Sequence, residues 1–148
     1  MWYNERDIIQ RVIKGERNLE PEVLNGLTLA YLGDAVLEIM VREKVIESGV
    51  TDVGRLNNMA RTFVRATEQS NALNNIIELL DEEEMSFFKR GRNTKGNTPK
   101  SASTAEYRRA TGMEALFAFL YMKGRTDRMK YLFETAYKDH FENILENK

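Results

Sequence analysis

The chain contains no cysteine, which excludes disulfide staples and thiolate metal sites. It has one histidine, His140 in "YKDHFENI", too few for an imidazole cluster, so His140 reads as structural or exposed. Only two prolines occur, Pro21 and Pro99. So few helix breakers, among long stretches rich in Leu, Ala, Glu, Lys, Arg and Met, favour an all-helical protein. No apolar run approaches the roughly 20 residues of a membrane span, so no membrane partner is expected. The N-terminus "MWYNERDIIQRV" is charged and lacks the apolar centre of a signal peptide, and the expected location is the cytoplasm.

What is present suits one domain. A chain of 148 residues, 42% hydrophobic, is long enough to bury a sizeable core. Helical spacing and caps predict a short helix over 7–14 that ends at Gly15, then a long one from Pro21 or Asn25 to Glu47. Further helices are predicted over 53–66 behind Asp52, over 68–80, and through "DEEEMSFFKRGRN", whose acids come first and bases last, as the helix dipole favours. Residues 91–103, "GRNTKGNTPKSAS", read as an exposed loop. Ser103 or Thr104 caps a helix that runs to about Lys123, and Thr126 caps a final one to about Glu146. The expected architecture is all-α, with six or seven helices. Residues 1–20 form an N-terminal extension with a short helix, and 21–148 form the domain proper.

Two helices carry a fault. "LAYLGDAVLEIM", residues 29–40, is core-like except for Gly33 and Asp34, side by side. "GMEALFAFLYM", residues 112–122, has one charged residue, Glu114. A carboxylate within such a run must reach water, pair with a base or hold a metal. If the fold joins the two, their like charges call for a cation, and oxygen ligands with waters suit Mg²⁺. Gly33 would then allow a close approach. Alternatively, each acid lies at the edge of its apolar stripe and faces solvent or an arginine. Glu38, one turn from Asp34, is a further ligand candidate or part of a solvated face.

The net charge of −1 hides an asymmetry. Lys89, Arg90, Arg92, Lys95, Lys100, Arg108 and Arg109 fall in one segment with the single acid Glu106. Such a loop, rich also in Asn, Ser and Thr, suits the phosphates and 2′-hydroxyls through which duplex RNA is read. Its bland alternative is a solvated charge run. Arg108 and Arg109 start the Glu114 helix, where one could pair with a carboxylate instead.

"YLGDAVLE", followed by "ATGMEALFAFLY", resembles the two signature segments of the ribonuclease III catalytic-domain family. "LNGLTLAYLGDAV", "RGRN" and "YRRATGMEALFAFLY" together are similar to its mini-ribonuclease III branch, which lacks the double-stranded-RNA-binding domain. The chain departs from the larger enzymes. Leu27 and Ala30 stand where they carry glutamates before the signature Asp, and Thr111 stands where they carry an Asp. The resemblance implies a homodimeric, all-α endonuclease domain. It implies a Mg²⁺-dependent endoribonuclease, with Mn²⁺ as a substitute, that cuts double-stranded RNA to 5′-phosphate and 3′-hydroxyl ends and matures precursor large-subunit (23S) ribosomal RNA. Asp34 and Glu114 would be both catalytic residues and metal ligands, and the basic segment would bind RNA. A catalytically silent protein of the same fold that only binds structured RNA is the alternative. A helical protein-interaction domain is a third reading, which the basic loop disfavours.

Overall fold

A computed structural model describes residues 4–15, 19–94 and 103–146, and among these every regular element is helical. The α-helices are α1 (Glu5–Lys14), α2 (Gly26–Ile46), α3 (Val53–Val64), α4 (Ala66–Asn74), α5 (Glu82–Arg92), α6 (Thr104–Met122), α7 (Thr126–Ala136) and α8 (Lys138–Glu146). Single 3₁₀ turns occupy Pro21–Val23 and Ile77–Leu79. The helix count exceeds the expected six or seven because the predicted last helix is two. α7 stops before Tyr137, whose buried ring packs at 5.0 Å on Phe133 and whose hydroxyl donates to the Phe63 carbonyl. Pro21 does not begin the long helix. Asn25 does, its side chain accepting from the Thr28 amide at 2.9 Å, while Pro21 heads the separate 3₁₀ turn.

The centre of the molecule is α6. From Ala110 to Leu120 every residue but Glu114 is buried, so this helix is covered on all sides by α2, α4, α5 and α7. That explains why the segment shows no amphipathic period and reads as an apolar run whose one charged residue is Glu114. By contrast, α2 buries one stripe, with Leu29, Val36, Leu37, Val41 and Val45 turned inward and Tyr31, Asp34 and Ile39 outward. Phe87 of α5 stacks flat on Phe119 of α6 at 4.2 Å.

One buried charge helps to fix α5. Asp81 and Glu84 form a reciprocal capping box at its start. Glu84 is 1% exposed and receives both a 2.9 Å and a 2.8 Å hydrogen bond from Arg128 of α7. Burial pushes its carboxyl up, but the Arg128 bonds and the Asp81 amide outweigh that and hold it below the usual range.

Candidate active site

The apolar run of α6 can admit Glu114 only where a neighbour leaves an opening, and Gly33 makes one. A Cβ built on Gly33 would lie 1.7 Å from the Glu114 carbonyl oxygen, so α2 and α6 cross almost backbone to backbone at this point. No other residue fits there. The crossing puts the next residue of α2, Asp34, beside the next outward side chain of α6, Glu114. The two carboxyl groups lie within hydrogen-bonding reach of each other. Asp34 is exposed and Glu114 is half-buried. Burial, then the charge of Asp34, then a hydrogen bond shared with it raise the Glu114 pKa from the ordinary 4.5 to about 8. Near neutrality Glu114 therefore favours its protonated form beside Asp34.

A divalent cation can take the place of that proton. The donors are hard oxygens, as Mg²⁺ requires, and Mg²⁺ commonly binds through one or two carboxylates plus water and phosphate. Among the described residues no group of three or more His, Cys, Asp or Glu side chains converges, so the remaining ligands would be solvent or substrate. Glu38 is not part of the pair, because it is bound to Arg42 at 3.0 Å. Thr111 is buried and its hydroxyl donates to the Tyr107 carbonyl at 2.9 Å, while Ala30 is buried and Leu27 exposed.

The basic residues divide. Lys89 and Arg108 are exposed, and Arg92 is half-buried with a bond to Asn93 at 3.2 Å. Arg90 and Arg109 are turned to structural work. Arg90 Nη1 donates to the carbonyls of Pro21, Glu22 and Leu24, and the guanidinium lies 4.7 Å over the Phe87 ring. Arg109 donates to the hydroxyl and carbonyl of Ser70 and to the Asn74 side chain, not to a carboxylate. Lys95 and Lys100 lie outside the described residues.

The sequence reading passed over Gly26. A Cβ there would meet Thr94 Oγ1 at 2.0 Å and the Arg90 carbonyl at 2.3 Å. Gly26 thereby seats the end of α5, from which the basic segment departs, on the first turn of α2. Asp34 is two turns further along, roughly 12 Å at 1.5 Å per residue. The available signal was a glycine directly after the Asn25 cap.

Comparison with known proteins gives a consistent result. Residues 27–125 match the family model described as the ribonuclease III domain. The chain is 47% identical over 111 residues to a mini-ribonuclease 3 of Desulfitobacterium hafniense, covering 75% of this chain and 71% of that one. It is 43% identical over 121 residues to a mini-ribonuclease 3 of Symbiobacterium thermophilum, covering 81% and 93%. A crystal structure of a Fusobacterium nucleatum protein superposes with a TM-score of 0.73 at 32% identity, covering 80% of this chain and 95% of the other.

Proposed function

The chain belongs to the ribonuclease III family of endoribonucleases, and from that premise we propose that it cuts double-stranded RNA with Mg²⁺ held by Asp34 and Glu114. The observation that carries this reading is the apposition of those two carboxyl groups at the crossing of α2 and α6. When bound, the ion supplies charge neutralisation at the phosphate and activation of water. The protein supplies the rest. Asp34 and Glu114 would hold the cation, with Glu114 in its ionised form. The tight crossing at Gly33 fixes their spacing, and the walls of α6 keep water from the inner side of Glu114. In the reaction, a water oxygen bonds to phosphorus, the bond from phosphorus to the 3′ oxygen breaks, and a proton passes to that oxygen. The products carry 5′-phosphate and 3′-hydroxyl ends.

Lys89, Arg92, Arg108 and the lysines Lys95 and Lys100 would grip phosphates, and precursor large-subunit ribosomal RNA is the substrate expected in the cell. Two strands need two sites, while one chain has one Asp34 and one Glu114, so the active species is a homodimer. The test is cleavage of a long RNA duplex with and without Mg²⁺. Asp34→Asn and Glu114→Gln should each lose most activity while keeping helical content and duplex binding. Near wild-type cleavage by either folded variant would remove that residue from the site.

A further inference from the structure

The one histidine of the chain has no part in the site described above, yet its surroundings are specific. His140 lies on α8, with its ring packed edge-on against Phe63 of α3 at 4.2 Å between centroids. Only 18% of its side chain is exposed. Its Nε2 is 2.8 Å from the Thr62 hydroxyl oxygen. A hydroxyl has one proton to give, and Thr62 gives it to the Met59 carbonyl at 2.7 Å. The Thr62 oxygen must therefore accept from His140, which fixes the proton of the neutral imidazole on Nε2. Nδ1 is left with a lone pair. Across from it stands the Glu68 carboxylate of α4, whose Oε2 is 3.8 Å away.

Two acceptors thus face each other across a gap too long for a hydrogen bond. A proton on Nδ1 would join them, but burial holds the His140 pKa below the ordinary 6.5, against the pull of Glu68. At neutral pH the imidazole is therefore uncharged, the form in which histidine acts as a ligand. The gap opens into a concavity of about 300 Å³, whose walls include Asn71, Asn75, Asp139 and Asn143. Each of these four carries a side-chain oxygen. The Asn75 amide donates to the Ala136 carbonyl at 2.9 Å and to Asp139 at 3.4 Å, which braces the wall on the side of α8.

We propose that His140 Nδ1 and Glu68 Oε2 form a second metal site, for a borderline divalent ion of the Zn²⁺ class. An imidazole nitrogen with a carboxylate oxygen suits such an ion, whereas the all-oxygen Asp34–Glu114 pair suits Mg²⁺. Zn²⁺ bonds of about 2.1 Å to each atom, at a tetrahedral angle, place nitrogen and oxygen roughly 3.4 Å apart. The observed 3.8 Å is a small side-chain adjustment from that. Thr62 is a positioning residue. Its bond to the other ring nitrogen sets the tautomer and the ring orientation, as outer partners do at histidine-ligated metals. Among the described residues no group of three or more His, Cys, Asp or Glu side chains converges, so water would complete the shell. The bound ion would tie α8 to α4 directly, and to α3 through Thr62.

The experiment adds ZnCl₂ to the untagged full chain and follows the ring protons of its single imidazole by NMR. The signals should shift saturably with Zn²⁺ and stay in place with the same concentration of MgCl₂. The Zn²⁺ response should be lost in Glu68→Gln, with the helix signal of the variant unchanged. Calorimetric titration should give one site whose affinity falls by roughly ten- to hundredfold in Thr62→Val, while Thr62→Ser, which keeps the hydroxyl, holds it near wild type. His140→Gln should abolish that site, and Asp34→Asn/Glu114→Gln should leave it in place. Imidazole signals in wild type that Zn²⁺ does not move would overturn the proposal without any variant having to fold. So would an equal shift in Glu68→Gln, or Zn²⁺ binding that disappears with the Asp34–Glu114 pair, which would put the ion at that pair instead. Unchanged affinity in Thr62→Val would overturn the role given to Thr62.

Discussion

Replacing Glu114 by Gln in metal-free protein tests the site through stability, with no RNA required. The Glu114 carboxyl titrates near 4.5 when unfolded and near 8 when folded. Between those values the unfolded chain has lost this proton and the folded one keeps it. Stability therefore falls as pH rises through that window, and levels off above about 8. At about 1.4 kcal/mol per pH unit, the full interval corresponds to a ceiling of roughly 5 kcal/mol. Asp34 is exposed, so water relieves part of the repulsion, and about 2–3 kcal/mol is the expected share. Gln keeps the shape, donates to Asp34 and has no proton to lose. Urea denaturation in chelator, from pH 5 to 8.5, should show Glu114→Gln gaining that amount over wild type, or roughly 5–10 °C in Tm for a domain of this size. Adding Mg²⁺ should stabilise wild type more at pH 8 than at pH 6 and leave Glu114→Gln nearly unmoved. A wild-type-minus-variant difference that stays flat across the window would refute the coupled pair.

Other perturbations test the frame around it. Gly33→Ala would drive a methyl group into the Glu114 backbone. It should cost about 3 kcal/mol by thermal melt and reduce cleavage by more than tenfold, because the carboxylates separate. Retained activity would mean that the crossing is not what sets their spacing. Arg128→Met leaves Glu84 buried without its bidentate partner and should destabilise by about 3 kcal/mol, with the loss shrinking at low pH as Glu84 takes a proton. A pH-independent loss would place the effect in packing instead. Arg90→Met should cost about 2 kcal/mol, through the carbonyls of the Pro21–Leu24 turn, and leave the salt slope of RNA binding unchanged. A shallower slope at unchanged stability would return Arg90 to the RNA.

The sequence carried the helical class, most helix caps and the two misplaced acids, because each leaves a local mark. Asn25, Asp52, Asp81 and Ser103 all cap as their residue types predict. The meeting of Asp34 with Glu114 was legible only as a possibility, since a separation of 80 positions hides any spatial relation. The one hint was Gly33, whose missing side chain has its reason in another helix. Basic residues were less legible. Arg90 and Arg109 look like their neighbours in composition, yet carbonyl and hydroxyl oxygens of distant segments claim them. The break at Tyr137 was invisible because no proline or glycine marks it. Tertiary packing of an aromatic ring ends α7 there.

The place where two helices touch without side chains between them has a thermal consequence. Amides around Gly33 and Glu114 have no loop or edge through which to open locally, so they exchange with solvent only when the whole core does. The carboxylate pair is thus bolted to the last part of the molecule to come apart. On heating, its spacing survives until cooperative unfolding, and cleavage and helix content should vanish together instead of activity failing first. A nuclease arranged in this way has a chemical centre as durable as its fold, and its substrate preference can change at outer basic surfaces without disturbing that centre.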